Sequence, residues 1–187
     1  LFIQMIYLST TLFLLIIFIV FWHNVYANQP RKQIVFFGDI LTDDGNLYRQ
    51  LFKIIPKSPP YFAGRFSNGP TWAEVIGKYY SDKSRINIAN YAAGGATTVW
   101  HNPFKGYLPL TLCEEVADYF LHSILKDKSK TLFVIWMGAN DYLNGNPNVN
   151  DATNAVVNEI GSVMVTLINH GAQNFLILSF IQKLAFF

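Results

Sequence analysis

Ile34-Val35-Phe36-Phe37-Gly38-Asp39-Ile40-Leu41-Thr42-Asp43-Asp44-Gly45-Asn46 is the stretch on which the reading of this chain turns. Ile34 to Phe37 is apolar at every position, the pattern of a strand covered on both faces, and it stops at a glycine and a carboxylate. A polar turn with its own glycine, Gly45, follows, and helical spacing begins at Asn46. Strand, polar turn and helix open a βαβ unit, and the carboxyl end of such a strand is where open α/β sheets gather their reactive groups. At the centre of that turn, where a reactive side chain would be useful, stands Ile40.

Outward from this stretch the chain alternates. Asn46 to Ile55 carries Leu47, Leu51, Ile54 and Ile55 at helical spacing and is stopped by Pro56. Residues 57–70 form a loop with Tyr61, Phe62 and Phe66 set in it, aromatics expected to be tied against the body or a ligand cleft. Pro70 and Thr71 open a helix predicted over Trp72–Tyr80. Ile86–Ala92 reads as a second strand ending at Gly94-Gly95, and Leu112–Leu125 as an amphipathic helix. In that helix Cys113, beside Leu112, is expected to be a small buried side chain. Thr131–Met137 is apolar almost throughout and is predicted to be a central strand, followed by Gly138-Ala139-Asn140-Asp141. Asp151 is expected to cap a long helix with Val156, Ile160, Val163, Leu167 and Ile168 as its buried stripe, ended by Gly171. A fourth strand is predicted over Asn174–Ile181.

Strands alternating with helices specify an α/β fold with a parallel sheet covered on both faces. The carboxyl ends of parallel strands share one edge, so the turns at Gly38-Asp39, Gly94-Gly95 and Gly138-Ala139-Asn140 should converge on one crevice. Taken singly each has a plainer reading: Asp39 as a turn residue, Gly94-Gly95 as a tight turn, Asn140-Asp141 as a helix cap. A phosphate-binding loop is not indicated, because neither Gly-x-Gly-x-x-Gly nor a Gly-Lys-Ser/Thr ending is present.

Composition narrows the chemistry. The 187 residues are 51% hydrophobic, enough for one domain with a substantial core. A net charge of +2 without a Lys/Arg run gives no nucleic-acid footprint. One cysteine and four scattered histidines supply neither a disulfide framework nor a zinc or redox site, so no metal or cofactor is expected.

The amino-terminal 27 residues differ in kind from the rest. Residues 5–22 are nearly all apolar, and Val25-Tyr26-Ala27 places small residues where signal peptidase reads them. Residues 1–27 are therefore expected to be a secretion signal cleaved after Ala27, giving a secreted or periplasmic protein. An uncleaved anchor is the alternative, with membrane contact through residues 5–22. Residues 28–187 would form the folded domain.

The ordered motifs resemble those of the GDSL, or SGNH, lipase and esterase family. Gly38-Asp39-Ile40-Leu41 followed by Thr42-Asp43-Asp44-Gly45-Asn46 is similar to its first block, Gly-Asp-Ser-Leu with Ser/Thr-Asp-x-Gly-Asn. Asn90-Tyr91-Ala92-Ala93-Gly94-Gly95-Ala96 resembles the second block, and Gly138-Ala139-Asn140-Asp141 the third, Gly-x-Asn-Asp. Gly64-Arg65-Phe66-Ser67-Asn68-Gly69-Pro70-Thr71-Trp72 looks like the loop between the first two blocks, and the secreted phospholipase and acyltransferase-like branch fits best. The resemblance implies a flavodoxin-like α/β/α three-layer sandwich acting on lipid or small carboxylic esters. In it a serine attacks the ester carbonyl, a histidine held by an Asp-x-x-His block takes its proton, and backbone and asparagine N–H groups hold the oxyanion. Carried to this chain, position 40 is the nucleophile position, Gly95 and Asn140 are oxyanion donors, and Gly38, Asp39, Gly138 and Asp141 support them.

Two departures follow. Ile40 has no nucleophilic atom, and no Asp-x-x-His follows Asn140. Asp118-Tyr119-Phe120-Leu121-His122 has one residue too many; His170 is expected at a helix end, and His101 is the histidine expected nearest the crevice. Thr42 and Ser67 are conceivable substitute nucleophiles with no base evident beside either. The residues from Phe180 to Phe187 also depart from the family's Leu-Pro-Asp-Leu continuation. The expectation is a truncated or frameshifted copy lacking the last strand and helices, catalytically silent, with its fourth strand left as an exposed apolar edge. The alternatives are a non-catalytic acyl- or lipid-binding protein using the residual oxyanion crevice, or a fragment without function. Reading frames beyond Ser179 in the DNA test the frameshift.

Overall fold

Gln33–Gly38, six buried residues in succession, form strand β1 and occupy an interior position of a parallel sheet. The computed structural model describes residues 32–102, 108, 110–124, 126–144 and 148–178. The apolar stretch at 5–22, the cleavage point after Ala27 and residues 179–187 lie outside the described residues. β2 (Asn87–Asn90), β3 (Thr131–Trp136) and β4 (Asn174–Leu178) complete the sheet, ordered β2-β1-β3-β4. All three pairings are parallel, with Gln33 registered against both Asn87 and Thr131, and Leu132 against Asn174.

Five helices connect and cover the strands: α1 (Asn46–Gln50), α2 (Trp72–Ser84), α3 (Leu112–Ser123), α4 (Ala139–Asn144) and α5 (Val149–Asn169). Side chains alternate across a strand, so the apolar runs of β1 and β3 feed two cores. Val35, Phe37, Phe133 and Ile135 meet Leu112, Val116 and Tyr119 of α3 and Val163 and Leu167 of α5. Ile34, Phe36 and Val134 turn the other way, towards Ala73 and Trp72 of α2. Each fully buried Phe or Ile contributes about 1.5–3 kcal/mol. The result is a three-layer α/β/α arrangement around a parallel sheet, as expected from the alternation of elements.

Several boundaries differ from the sequence reading. α1 stops at Gln50 rather than Ile55, because of its apolar set only Leu47 reaches the core while Ile54 and Ile55 stay exposed. Phe52 and Lys53 then take positive φ of 53° and 65°, which ends the helix. α2 runs past Tyr80 to Ser84 and ends at Arg85 in the left-handed region. The cap of α5 is Asn148, whose side chain accepts from the Asn150 N–H; Asp151 sits inside the first turn, where its negative charge complements the positive end of the helix dipole. α4 begins at Ala139, directly after β3, so Asn140 and Asp141 lie inside its first turn rather than capping it. Cys113 is exposed, not buried, because on α3 it points one step round from the inward line of Leu112, Glu115, Val116 and Tyr119. The strand covered most completely is β1, whereas β3 leaves Leu132 and Trp136 half-buried. β4 is an edge of the described sheet, with Leu176 and Ile177 exposed by 44% and 38%.

Candidate functional site

The carboxyl ends of β1, β2 and β3 bring the three strand-end turns together. After Gly38 the chain bends tightly: the N–H groups of Thr42 and Asp43 both donate to the Asp39 carbonyl at 3.0 Å, and the Leu41 N–H donates to Asp39 Oδ1 at 3.1 Å. Only glycine fits at 38, since a Cβ there would lie 2.7 Å from the Trp136 carbonyl oxygen. Asp39 is fully buried and its Oδ2 has no partner. Burial pushes its carboxyl up to about 6, against the pull of the Leu41 N–H and with a further push from the Asp141 charge.

Asp43 holds the first turn to the second. Its Oδ1 accepts from the N–H groups of Gly45 (2.7 Å) and Asn46 (2.5 Å), and its Oδ2 from Gly94 (2.8 Å) and Leu47 (3.3 Å). Burial outweighs those donors and raises its carboxyl. Asn46 donates to the carbonyls of Asn90 and Ala92, and Asn90 returns a bond to the Thr42 carbonyl. Beneath them Glu115 of α3 accepts the Gly38 N–H at 2.9 Å and the Ala93 N–H at 3.1 Å. Full burial raises the Glu115 carboxyl well above the usual range, with the two N–H donors opposing.

The third turn closes on the second. Asn140 Nδ2 donates to the Ala96 carbonyl at 2.8 Å. Asp141, buried, accepts the Thr98 N–H at 2.8 Å and the Val99 N–H at 3.3 Å, and its Oδ1 lies 3.2 Å from His101 Nε2. Gly95 takes φ +79°, a conformation that suits glycine, and a Cβ would come within 2.9 Å of Leu108. Ile40 sits half-buried on the first turn. Among the described residues, neither the Ile40 N–H nor the Gly95 N–H donates to a protein acceptor.

Gly38, Asp39, Ile40, Gly95, Gly138, Asn140 and Asp141 are thus assembled at one edge. His101 joins them through Asp141, while His122 sits on α3 against Asp118 and His170 caps α5. Thr42 is buried and accepts from Trp72 Nε1; Ser67 donates to the Gly69 carbonyl, so neither faces a base. Of the loop aromatics, Phe66 packs over Gly94, where a Cβ would lie 2.6 Å from its ring, while Tyr61 and Phe62 remain partly exposed.

Sequence reasoning missed Glu115, and placed Asp43 in the first block without giving it a role. The signal for Glu115 was available: it shares the inward line of Leu112, Val116 and Tyr119, so a carboxylate there had to be buried and bonded. The Asp-x-Gly-Asn spacing of the first block marks Asp43 over Asp44, but its role, tying that turn to Gly94, rests on a partner distant in sequence.

A parallel α/β/α sandwich with these three blocks pooled at the carboxyl edge of its sheet defines a hydrolase-type fold of the SGNH class. The chain belongs to the GDSL-like lipase/acylhydrolase family, whose model matches residues 34–184. It is 36% identical over 149 residues to a phosphatidylcholine-sterol acyltransferase of Aeromonas hydrophila, covering 78% of this chain and 43% of that protein. It is 31% identical over 164 residues to a thermolabile hemolysin of Vibrio parahaemolyticus, covering 84% of this chain and 36% of the relative. A secreted effector protein of Salmonella typhimurium is 32% identical over 115 residues, 59% of this chain and 26% of its own length. The chain spans less than half the length of each of these relatives.

Proposed function

We propose that this chain is an ester-hydrolase domain of the GDSL family that has kept the shape of its site and lost turnover. The observation that carries the reading is Ile40: an aliphatic side chain stands on the turn where the family has its serine. In this reading the Ile40 N–H, the Gly95 N–H and the Asn140 side chain are the oxyanion donors, with Asp39 and Asp141 buttressing the turns around them. Each donor of this kind is typically worth ~3 kcal/mol in an active enzyme. Without a nucleophile they have no intermediate to stabilise, and loss of a triad nucleophile or base costs on the order of 10⁴–10⁶ in turnover. Among the described histidines His101 joins the site, with its Nε2 3.2 Å from Asp141 Oδ1.

The substrates of the ancestral activity would be lipid or small carboxylic esters, as the name of the Aeromonas relative suggests. Export through residues 1–27 fits the name of the Salmonella relative. Among the described residues no helix is long and apolar enough to cross a membrane. A second reading, retention of the crevice for binding acyl or carboxylate ligands, is favoured by the unpartnered N–H groups of Ile40 and Gly95.

Purified protein should hydrolyse p-nitrophenyl butyrate no faster than buffer. The Ile40→Ser variant of this chain should stay at that baseline, because the described histidine that joins the site, His101, has its Nε2 on Asp141. Turnover by the unaltered chain that a serine-directed reagent abolishes would overturn the proposal.

A further inference from the structure

One carboxyl group underlies both backbone donors of the crevice. Glu115 Oε2 accepts the Gly38 N–H at 2.9 Å, and its Oε1 accepts the Ala93 N–H at 3.1 Å. Gly38 stands two residues before Ile40, and Ala93 two residues before Gly95. A single side chain thus grips both turns at the same remove from the N–H groups that, among the described residues, no protein acceptor takes. A carboxyl group is planar, with its two oxygens at a fixed separation, so what it grips with both is held at a set spacing.

The grip has a firm base. Glu115 is 5% exposed and projects from α3 beside Leu112, Val116 and Tyr119, which are buried with Phe37, Phe133 and Leu167 in one core. Its two partners are not equivalent. The Ala93 N–H also donates to the Gly38 carbonyl at 3.0 Å, whereas the Gly38 N–H is met by Glu115. The charged groups acting on Glu115 are Asp39 and Asp43 of the first turn, both acidic. Burial first, and then these two, push its carboxyl up, and the two N–H groups pull it down. On its own helix Glu114 is taken up at the Thr111 cap, and Glu159 of α5 acts on Cys113.

We propose that Glu115 is the positioning residue of the crevice: its carboxyl group, seated on α3, sets the separation of the Ile40 and Gly95 N–H groups, so that an oxyanion or a ligand carboxylate meets both. The proposal rests on the reading of those two N–H groups as the crevice donors. Donors of this kind act only when aimed in advance at the charge they receive. Glutamine is no substitute at 115, because its amide offers one acceptor oxygen and turns an NH2 group towards the second N–H. The Ala93 N–H keeps the Gly38 carbonyl, so the amide oxygen goes to Gly38 and the Gly95 turn is the one released.

The test is amide NMR of the full chain and of its Glu115→Gln and Glu115→Ala variants. In Glu115→Gln the Gly95 amide signal should shift while that of Ile40 stays. In Glu115→Ala both should shift, and the Gly38 amide should exchange with solvent about tenfold faster relative to the core amides of Val35 and Phe133. In the unaltered chain the Gly38 and Ala93 signals should follow one common pH midpoint that Glu115→Gln removes. Butyrate should move the Ile40 and Gly95 signals together, and bind about tenfold more weakly to the alanine variant. A general loss of stability would instead disturb Val35 and Phe133 as much as Ile40 and Gly95, and that pattern overturns the proposal. So does a glutamine variant in which neither signal moves, or a common midpoint that survives in it, which would put the proton on Asp39 or Asp43. If butyrate moves neither amide while the variants shift them as described, the donor reading fails and the positioning by Glu115 stands.

Discussion

Asp39 is where the turn that carries Ile40 stores a cost. Its carboxyl, with one oxygen unpartnered, is pushed up from 3.8 to about 6 mainly by burial, so the folded state holds a proton that the unfolded chain releases. A raised carboxylate makes stability fall as pH rises from about 4 to about 6, with the full penalty present above that window. Asp39→Asn keeps an oxygen for the Leu41 N–H and removes the charge. It should gain about 1–3 kcal/mol in urea unfolding at pH 7.5, and the gain should shrink towards zero by pH 4. Glu115 differs because both its oxygens are occupied. Glu115→Ala should cost about 1–3 kcal/mol by leaving the buried Gly38 N–H unmet, while the Ala93 N–H keeps the Gly38 carbonyl, measured the same way. At this scale the motif residues were legible because their types and spacing are local. Glu115 was not, because what distinguishes it is a partner 77 residues away.

At the scale of elements, α2 is the clearest case of local instruction. The Thr71 side chain accepts the Glu74 N–H while the Glu74 carboxylate accepts the Thr71 N–H, a reciprocal cap. Arg65 also reaches Glu74, tying the preceding loop to the same helix start. Thr71→Ala should lower stability by about 1 kcal/mol, read as a shift in the thermal midpoint. The start of this helix was legible for that reason. Its end was not, because Ser81 to Ser84 are exposed and carry no stop signal before Arg85. α1 failed in the opposite sense: its apolar spacing was genuine, but a helical stripe that meets no core does not propagate. Strands β1 and β3 were readable because continuous apolar runs this short have few alternatives to a buried strand.

For the whole molecule, the order β2-β1-β3-β4 leaves β4 at an edge of the described sheet, with apolar residues turned to solvent on both its faces. Such an edge is a template for association. Ile177→Lys should raise the concentration at which the protein remains soluble in size-exclusion chromatography, with little change in the thermal midpoint. That all strands run parallel could be inferred from the alternation of strands and helices. Which strand sits inside could not, since β1, β3 and β4 are similarly apolar and only pairing separates them. The same order has a consequence in time. β1 is made first, yet its register partners begin at Asn87 on one side and Thr131 on the other. A chain emerging from the ribosome at ~5–20 residues per second would keep Ile34 to Phe37 without its β3 partner for about 5–20 s. Through that interval an apolar segment lacks one of its two neighbours, so the strand that opens the family's first motif is the first made yet is enclosed only when β3 arrives.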